Sequence, residues 1–307
     1  MNEIVRVQGV SKSFGTVQAV DNLSFDVPKG VILGIVGPDG AGKTTLLRML
    51  AGVLTSGGGS IEILGAGSIE PVKKSLGYMP QRFSLYQDLT VWENVELLGT
   101  LYGLDNNELA ARGEQALHFV GLWQFKDRMA GKLSGGMKQK LALVAATLHK
   151  PQILLLDEPT TGVDPVARRE FWQMLYGLNR EGMTIIVATP YMDEAELCHK
   201  LLLMHRGKGS SCRSPQQIID AYPYAVLRLD SSERNLPQML EGCYMLGLDA
   251  FSNTYHIVTD DADRTAQEIE LRLADLGRAM PPLEKIRPSL EDAFILFSDG
   301  LAQGDDL

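Results

Sequence analysis

The sequence, 307 residues long, predicts an α/β protein on three observations. Several short, continuous apolar runs are typical of strands that are buried on both faces of a parallel sheet. Segments whose apolar residues recur at helical spacing separate these runs, as the crossovers between parallel strands require. A glycine-rich segment at residues 37–44 lies between one such run and a helical segment, where α/β folds bind their ligands.

The predicted strands are of two kinds. The segments IVRVQGV and LSFDV near the N terminus alternate apolar and polar residues, which predicts half-exposed antiparallel strands. The continuous apolar runs predict buried parallel strands at residues 31–36, 153–156, 184–188 and 200–204. The segment LGYM, which directly precedes Pro80 and Gln81, is a further strand candidate.

Helices are predicted between these strands. Their apolar spacing places them at residues 43–50, 91–102, 108–120, 135–148, 165–179 and 192–199. Residues 82–132 contain helical segments and no buried strand. We therefore expect a helical lobe of about these residues, inserted into a mixed core sheet that has an antiparallel edge.

Charge divides the chain into two predicted domains. Residues 1–215 carry 22 Lys and Arg against 21 Asp and Glu, whereas residues 216–307 carry 7 against 17. The shift predicts a core domain at 1–215 and a small, acidic α+β extension at 220–307. The extension is expected to contain strands at 224–230 and 254–260, helices at 263–276 and 289–297, and a frayed tail or linker from 299.

Composition excludes several classes of protein. A formal net charge of −9 disfavours a protein that neutralises nucleic-acid phosphates, so no nucleic-acid partner is expected. The three cysteines are scattered without metal-ligand spacing, which predicts reduced thiols and no structural zinc. The N terminus lacks the pattern of a secretory signal, and no apolar run approaches the roughly 20 residues that span a bilayer. We therefore expect a soluble chain.

The segment GPDGAGKT at residues 37–44 matches the phosphate-loop pattern G-x-x-x-x-G-K-[ST]. Its glycines would let backbone N–H groups surround a phosphate at a helix N terminus. Lys43 would neutralise the β- and γ-phosphates, and the Thr44 hydroxyl would ligate Mg²⁺. The alternative interpretation is a plain glycine-rich turn between a strand and a helix.

Two carboxylates follow the apolar run ILLL, at the carboxyl end of a predicted central strand. Ligands of α/β sheets bind at such ends. Asp157 would hold the metal through water, and Glu158 would be the base that orients an attacking water. The alternative is that the pair simply ends a strand before Pro159.

Three further motifs carry a resemblance to a known family. LSGGMKQK, with Ser134, Gly135 and Gly136 at the start of a helix, stands between the phosphate loop and the carboxylates. The order of phosphate loop, GYMPQ, LSGGM, ILLLDEP and TGVDP is similar to that of ABC-type ATPases. Residues 1–215 thus resemble the ATP-binding subunit of an ABC transporter, which implies the P-loop NTPase fold of an ABC cassette and ATP with Mg²⁺ as cofactors.

The resemblance also implies roles for single residues. Phe14 would stack on adenine, although an aromatic at this place can equally belong to the core. Gln81 would sense Mg²⁺ beside Thr44 and Asp157, and would relay its state to the membrane partner. Asp164 would lie at a dimer seam. The implied nucleotide-binding residues in the loop are Gly37, Pro38, Asp39, Gly40, Ala41, Gly42, Lys43, Thr44 and Thr45.

LSGGM is a second potential anion site on the same chain, because it combines helix N-terminal amides, two glycines and a hydroxyl. Two separate binding sites for a γ-phosphate on one chain, the phosphate loop and LSGGM, imply a head-to-tail dimer. Each ATP would lie between Lys43 of one subunit and Ser134 and Gly136 of the other. Hydrolysis would open the dimer and drive a membrane partner.

The sequence departs from the family after the run TIIVA. The family has a histidine there that contacts the γ-phosphate, whereas this chain has Pro190. Proline has neither an imidazole nor a backbone N–H, and loss of one positioned donor costs about 2.7–4 kcal/mol of catalysis. This predicts a catalytically weakened site in an asymmetric dimer. Alternatively, Glu158 suffices and a homodimer works slowly.

The leading functional hypothesis is therefore an ATPase subunit that powers an ABC exporter. It would dock on a separate ABC-2-type permease at the cytoplasmic face of the inner membrane, with a second ATP-binding subunit of the same or another kind. PSLEDAFI resembles the closing helix of extensions on exporter subunits, or is a plain amphipathic helix. A nucleotide-gated regulatory module is the alternative function. A DNA-associated ATPase would need a coiled-coil insertion or a basic face. A longer natural chain that contains two cassettes is a further alternative.

Overall fold

The computed structural model describes residues 3–303 apart from 232, 234 and 252, with the backbone alone for 299–303. These residues divide into two compact units, one of residues 3–215 with 300–303 and one of residues 216–299. No helix in the described part of the chain combines the length and apolar character that crossing a bilayer requires.

The first unit is an α/β core with an added antiparallel sheet. Its strands are β1 (Glu3–Phe14), β2 (Val17–Pro28), β3 (Ile32–Val36), β4 (Gly58–Ile63), β5 (Leu76–Met79), β6 (Ile153–Asp157), β7 (Thr184–Thr189), β8 (Lys200–His205) and β9 (Lys208–Gly209). Its helices are α1 (Lys43–Leu50), α2 (Val91–Leu101), α3 (Asn106–Phe119), α4 (Gly135–Thr147), α5 (Pro165–Arg180) and α6 (Met192–Ala195), and α7 (Pro215–Asp220) leads into the second unit.

The core sheet has the order β5-β6-β7-β3-β8-β9. Its strands are parallel from β5 to β8, and β9 pairs antiparallel with β8. Every residue of β3, β6 and β7 is buried, as their unbroken apolar sequences predict. The predicted α/β class is confirmed. Because β3 and β6 flank β7, the phosphate loop and the two carboxylates emerge at the same edge of the sheet.

The antiparallel sheet has the order β2-β1-β4 and shares one apolar core with the face of the core sheet that carries α1. Val5, Val7 and Phe25 from this sheet belong to the same buried cluster as Leu46 and Leu155. The two half-exposed strands that were predicted are therefore present, and both are longer than their alternating patterns. Strand β4 was not predicted, because glycines occupy its first residues and weaken the strand pattern.

The helical lobe is built from α2 and α3, which pack with α4 around Val95, Leu117 and Leu141. Thr90 and Glu93 form a capping box that starts α2. Asn94 is fully buried, and its amide nitrogen donates to the carbonyl oxygens of Tyr86 and Thr90 at 2.9 and 2.8 Å. The segment between Gln81 and α2 is thereby tied to the lobe.

The predicted helix at residues 192–199 is wrong in its length, since α6 ends at Ala195. Two contacts with β3 explain the early end. The backbone N–H of His199 donates to the Ile32 carbonyl at 2.9 Å, and the Ile32 N–H donates to the His199 ring nitrogen Nδ1 at the same distance. His199 is thus bound to the sheet, which a continued helix would prevent.

The second unit is an antiparallel α+β structure. Its elements are β10 (Ala225–Asp230), α8 (Leu236–Met239), β11 (Gly247–Phe251), β12 (Thr254–Thr259), α9 (Ala262–Asp275), β13 (Leu283–Ile286) and α10 (Leu290–Gln303). The sheet order is β11-β12-β10-β13. Ile269 and Leu273 of α9 pack on Leu227 and Ile257 of the sheet.

The second unit differs from its prediction in two ways. It contains three short elements that were not predicted, namely the strands β11 and β13 and the helix α8. The expected frayed tail from residue 299 is wrong for residues 299–303, which continue α10, and residues 304–307 lie outside the described part. On α10, Leu290 and Ala293 are buried as the amphipathic pattern predicts, and Phe294 is half-buried.

The Asp292 carboxylate of α10 is a buried polar centre of the second unit. One oxygen accepts hydrogen bonds from the backbone N–H and the hydroxyl of Ser289, both at 2.7 Å. The other oxygen lies 2.8 Å from Nδ1 of His256 on β12. Asp292 therefore caps α10 and binds it to the sheet.

We expect Asp292→Ala to lower the free energy of unfolding of the second unit by about 3 kcal/mol, since it leaves several buried polar groups without partners. Urea unfolding with hydrogen exchange of the β10 and β12 amides measures the loss. The matched control is Asp275→Ala, at the exposed end of α9, which should change stability by less than about 0.5 kcal/mol. Equal effects of the two substitutions would contradict the assigned role.

Candidate nucleotide site

The phosphate loop turns between β3 and α1 in a space that only glycine fits at two positions. A Cβ on Gly37 would lie 2.1 Å from the carbonyl oxygen of Met204. Gly42 has a φ of +106°, and a Cβ there would lie 2.2 Å from the carbonyl oxygen of Ala19. The loop is thus held closely between β2 and the end of β8, and its backbone curls at the N terminus of α1.

Lys43 is the first residue of α1 and is only 4% exposed. Its ammonium donates to the carbonyl oxygens of Gly37 at 2.7 Å and Pro38 at 3.0 Å. Its Nζ also lies 3.7 Å from Oε1 of Glu158. Burial lowers the pKa of Lys43, and the Glu158 carboxylate opposes this effect. The ammonium is therefore held inside the loop.

A cleft of about 400 Å³ opens above this loop. It is lined by Val17, Ala19, Asp39, Gly40, Ala41, Gly42, Lys43, Thr44, Thr45, Gln81 and Glu158. Val17 and Ala19 were missed in the sequence, which offers no signal for them because they lie on the edge strand β2. Phe14 is 51% exposed at the end of β1, where it pairs with Val17.

Asp157, the last residue of β6, is fully buried beside the loop. The Thr44 hydroxyl donates to its Oδ1 at 2.9 Å, and its Oδ2 has no hydrogen-bond partner among the described residues. Burial raises the pKa of this carboxyl. A carboxylate oxygen left unpaired next to a hydroxyl fits a divalent cation that prefers oxygen ligands.

Glu158 is 6% exposed and has three side-chain neighbours. Its Oε2 accepts hydrogen bonds from Nε2 of Gln81 at 2.8 Å and from the Thr161 hydroxyl at 3.2 Å, and its Oε1 faces Lys43. Its backbone φ of +49° lies in the left-handed region, which is uncommon for a residue with a side chain. The structure thus brings Lys43, Gln81 and Glu158 together.

The LSGGM segment forms a second cluster with the start of α5, and its residues are not among those that line the cleft. Ser134 caps α4, and its hydroxyl accepts from the Met137 N–H at 3.4 Å. A Cβ on Gly136 would lie 3.0 Å from that of Ala167, so α4 packs closely on the start of α5. Asp164 caps α5 through the N–H groups of Val166 and Ala167.

The loop after β7 carries Pro190, with polar groups around it that bond to one another. The Thr189 hydroxyl donates to the buried carboxylate of Glu194 at 2.6 Å, and the Thr160 hydroxyl donates to the other oxygen of this carboxylate. Arg168 lies 3.5 Å from Glu194 and stacks on the Tyr191 ring at 4.4 Å. None of these contacts was predicted. Thr160 and Arg168 are far from Glu194 in sequence, and the bond from Thr189 to Glu194 depends on the turn of the chain after β7.

Comparisons with known proteins agree with this geometry. A family model described as ABC transporter matches residues 20–161. The chain is 36% identical over 300 residues to Nod factor export ATP-binding protein I of Rhizobium sp. strain N33, covering 95% of each chain. It is 46% identical over 217 residues to the probable multidrug ABC transporter ATP-binding protein YbhF of Escherichia coli strain K12. That alignment covers 68% of this chain, which spans 37% of YbhF.

A solved structure shares the fold of the first unit. It is a dimeric, post-hydrolysis state of an ATP-binding cassette with ADP and Pi bound, with a TM-score of 0.63 and 26% identity over 68% of this chain and 98% of that one. The fold and cleft define a nucleotide-binding P-loop protein. The chain belongs to the family of ABC transporter ATP-binding proteins, whose ATP-binding domains are transport-coupled ATPases. The resemblance found in the sequence is thereby confirmed.

The buried, partly unpaired carboxyl of Asp157 predicts a gain in stability on its replacement. Because burial raises its pKa above the unfolded value, ionisation disfavours the native state, and stability falls as pH rises through the folded pKa. Asp157→Asn should therefore raise the unfolding free energy of the ligand-free chain at pH 7.5 and change it little at pH 4. Urea unfolding at both values tests this, and a loss of stability at pH 7.5 would contradict it.

Proposed function

We propose that this chain is the ATP-binding and ATP-hydrolysing subunit of a membrane ABC exporter, with a site that Pro190 weakens. The observation that carries the proposal is the position of the Glu158 carboxylate, which is buried next to Lys43 and Gln81 in the cleft above the phosphate loop. A base, a phosphate-binding cation and a polar amide in one cleft are the groups that phosphoryl transfer to water needs.

Nucleotide binding would use the loop from Gly37 to Thr45. Backbone N–H groups at the start of α1 and the ammonium of Lys43 would bind the phosphates. Lys43 would exchange its contacts with loop carbonyls for contacts with phosphate oxygens. The exposed ring of Phe14, with the Lys12 ammonium 5.7 Å from its centroid, is available to stack on adenine.

Thr44, Asp157 and Gln81 would hold Mg²⁺ at the β- and γ-phosphates. The bound cation would neutralise phosphate charge as the leaving group departs. The orphaned Oδ2 of Asp157 supports this assignment, since a cation or its water would give that oxygen a partner. Glu158 would accept the proton of the attacking water, and Gln81 would leave Glu158 to contact the metal.

A head-to-tail dimer would complete the site. Ser134, Gly135 and Gly136 start α4 beside Asp164 and away from this chain's own cleft, which supports their use on the ATP of a second subunit. The related cassette described above was solved as a dimer. The partner would be either a second copy or a different ATP-binding subunit whose own site retains the histidine.

The direction and partner of transport are inferred from relatives. The names of the two similar proteins refer to multidrug transport and to Nod factor export. We infer an export function with a separate ABC-2-type permease, at the cytoplasmic face of the inner membrane. Residues 216–299 would be an acidic extension of the cassette.

A second candidate function is a nucleotide-gated regulatory module. Pro190 favours it, because the chain then lacks a donor that hydrolysis uses while the groups that bind nucleotide are intact. Such a module would bind Mg·ATP and dimerise without productive turnover.

Mg·ATP turnover by the purified full chain beside Glu158→Gln tests the proposal. The substitution replaces the carboxylate by an amide of nearly the same shape and so removes the base. The kcat should therefore fall by about 10²–10⁴-fold, while ATP affinity changes little. Glu181→Gln, at the exposed end of α5, is the matched control and should retain the natural rate.

Turnover that survives Glu158→Gln would contradict the assigned base. A natural chain that binds Mg·ATP but does not turn it over would instead support the regulatory module.

A further inference from the structure

We propose that Thr161 is a positioning residue that holds the Glu158 carboxylate during hydrolysis, in the place of the imidazole that position 190 lacks. The inference rests on the proposed function, since it assigns a partner to the base of that reaction. Its evidence is the hydrogen bond of 3.2 Å from the Thr161 hydroxyl to Oε2 of Glu158.

Of the three groups that contact the Glu158 carboxylate, only Thr161 has no second task. Lys43 and Gln81 approach it at 3.7 and 2.8 Å, but bound nucleotide would draw Lys43 toward phosphate oxygens, and Gln81 would serve the metal. The Thr161 hydroxyl makes no other contact that competes for it among the described residues. It can therefore keep its bond when Mg·ATP is in the cleft.

Three other threonine hydroxyls near this end of the sheet are bound to other carboxylates. Thr44 donates to Asp157, and both Thr160 and Thr189 donate to the buried carboxylate of Glu194. Pro190 offers no donor at all. Thr161 is the threonine of this group whose hydroxyl donates to Glu158.

The backbone places this hydroxyl by a local turn. The Glu158 N–H donates to the Ala188 carbonyl of β7 at 2.9 Å, which fixes the carboxylate at the end of the sheet. The Thr161 N–H then donates back to the Glu158 carbonyl at 3.3 Å, across the turn that contains Pro159. Because the turn sets the distance between residues 158 and 161, serine should serve here as well as threonine.

A donor on Oε2 has a direct chemical consequence. It restrains rotation of the carboxylate, so that Oε1 stays directed toward the cleft, where the attacking water would lie. Loss of the donor should therefore lower kcat without weakening nucleotide binding.

The test compares Thr161→Val, which keeps the shape and loses the hydroxyl, with Thr161→Ser. Thr161→Val should lower kcat at least tenfold, because a hydrogen bond to a charged group is lost, while the Kd for Mg·ATP stays within about twofold. Thr161→Ser should restore the rate to within about threefold. The control Thr100→Val, on the exposed face of α2, should keep both the rate and the Kd.

An equal kcat in Thr161→Val and in the natural chain would overturn the proposal. A second measurement makes it independent of turnover: the change in unfolding free energy caused by Thr161→Val, in the natural chain and in Glu158→Ala. A loss in the natural chain that disappears in Glu158→Ala shows the two side chains interacting, and equal losses overturn the proposal. If the natural chain showed no turnover, only the proposed function would be contradicted. The comparison of unfolding free energies would then decide whether Thr161 holds Glu158.

Discussion

The rest of the site depends on one buried ion pair, between Lys43 and Glu158. Both charges are almost entirely removed from water, which costs far more than a surface pair and requires exact support from neighbouring polar groups. The carbonyls of the phosphate loop support the ammonium, and Gln81 and Thr161 support the carboxylate. The pair exists because β3 and β6 flank β7, so that the loop after one strand meets the end of the other. The phosphate of a bound nucleotide would replace the Glu158 carboxylate as the anionic neighbour of Lys43.

Local sequence was sufficient to predict the elements that position the site. Local patterns predict these elements, namely the unbroken apolar runs of β3, β6 and β7 and the glycine spacing before Lys43. Each pattern involves only residues that are close together in sequence. The lining residues Val17 and Ala19 and the bond from Thr160 to Glu194 could not be predicted, because each depends on segments that are far apart in sequence. The early end of α6 has the same cause, since the contact of His199 with β3 competes with helical periodicity.

The contacts around Pro190 hold the loop after β7 without an imidazole. The Glu194 carboxylate accepts hydrogen bonds from two hydroxyls and lies close to Arg168, so the loop is held by its own network. On the proposed function, folding and nucleotide binding would therefore be separable from the rate of hydrolysis. Such separation would suit a dimer in which one site binds ATP tightly and the other turns it over.

The central claim is that Pro190 slows a site whose remaining groups are competent. Its most direct test is single-turnover hydrolysis of Mg·ATP by the natural full chain and by Pro190→His, with ATP affinity measured in both. The account predicts a rate about 10²–10³-fold higher in Pro190→His at unchanged affinity, which is what one positioned donor contributes. Equal single-turnover rates would contradict the account and would mean that the carboxylate alone sets the speed of this site.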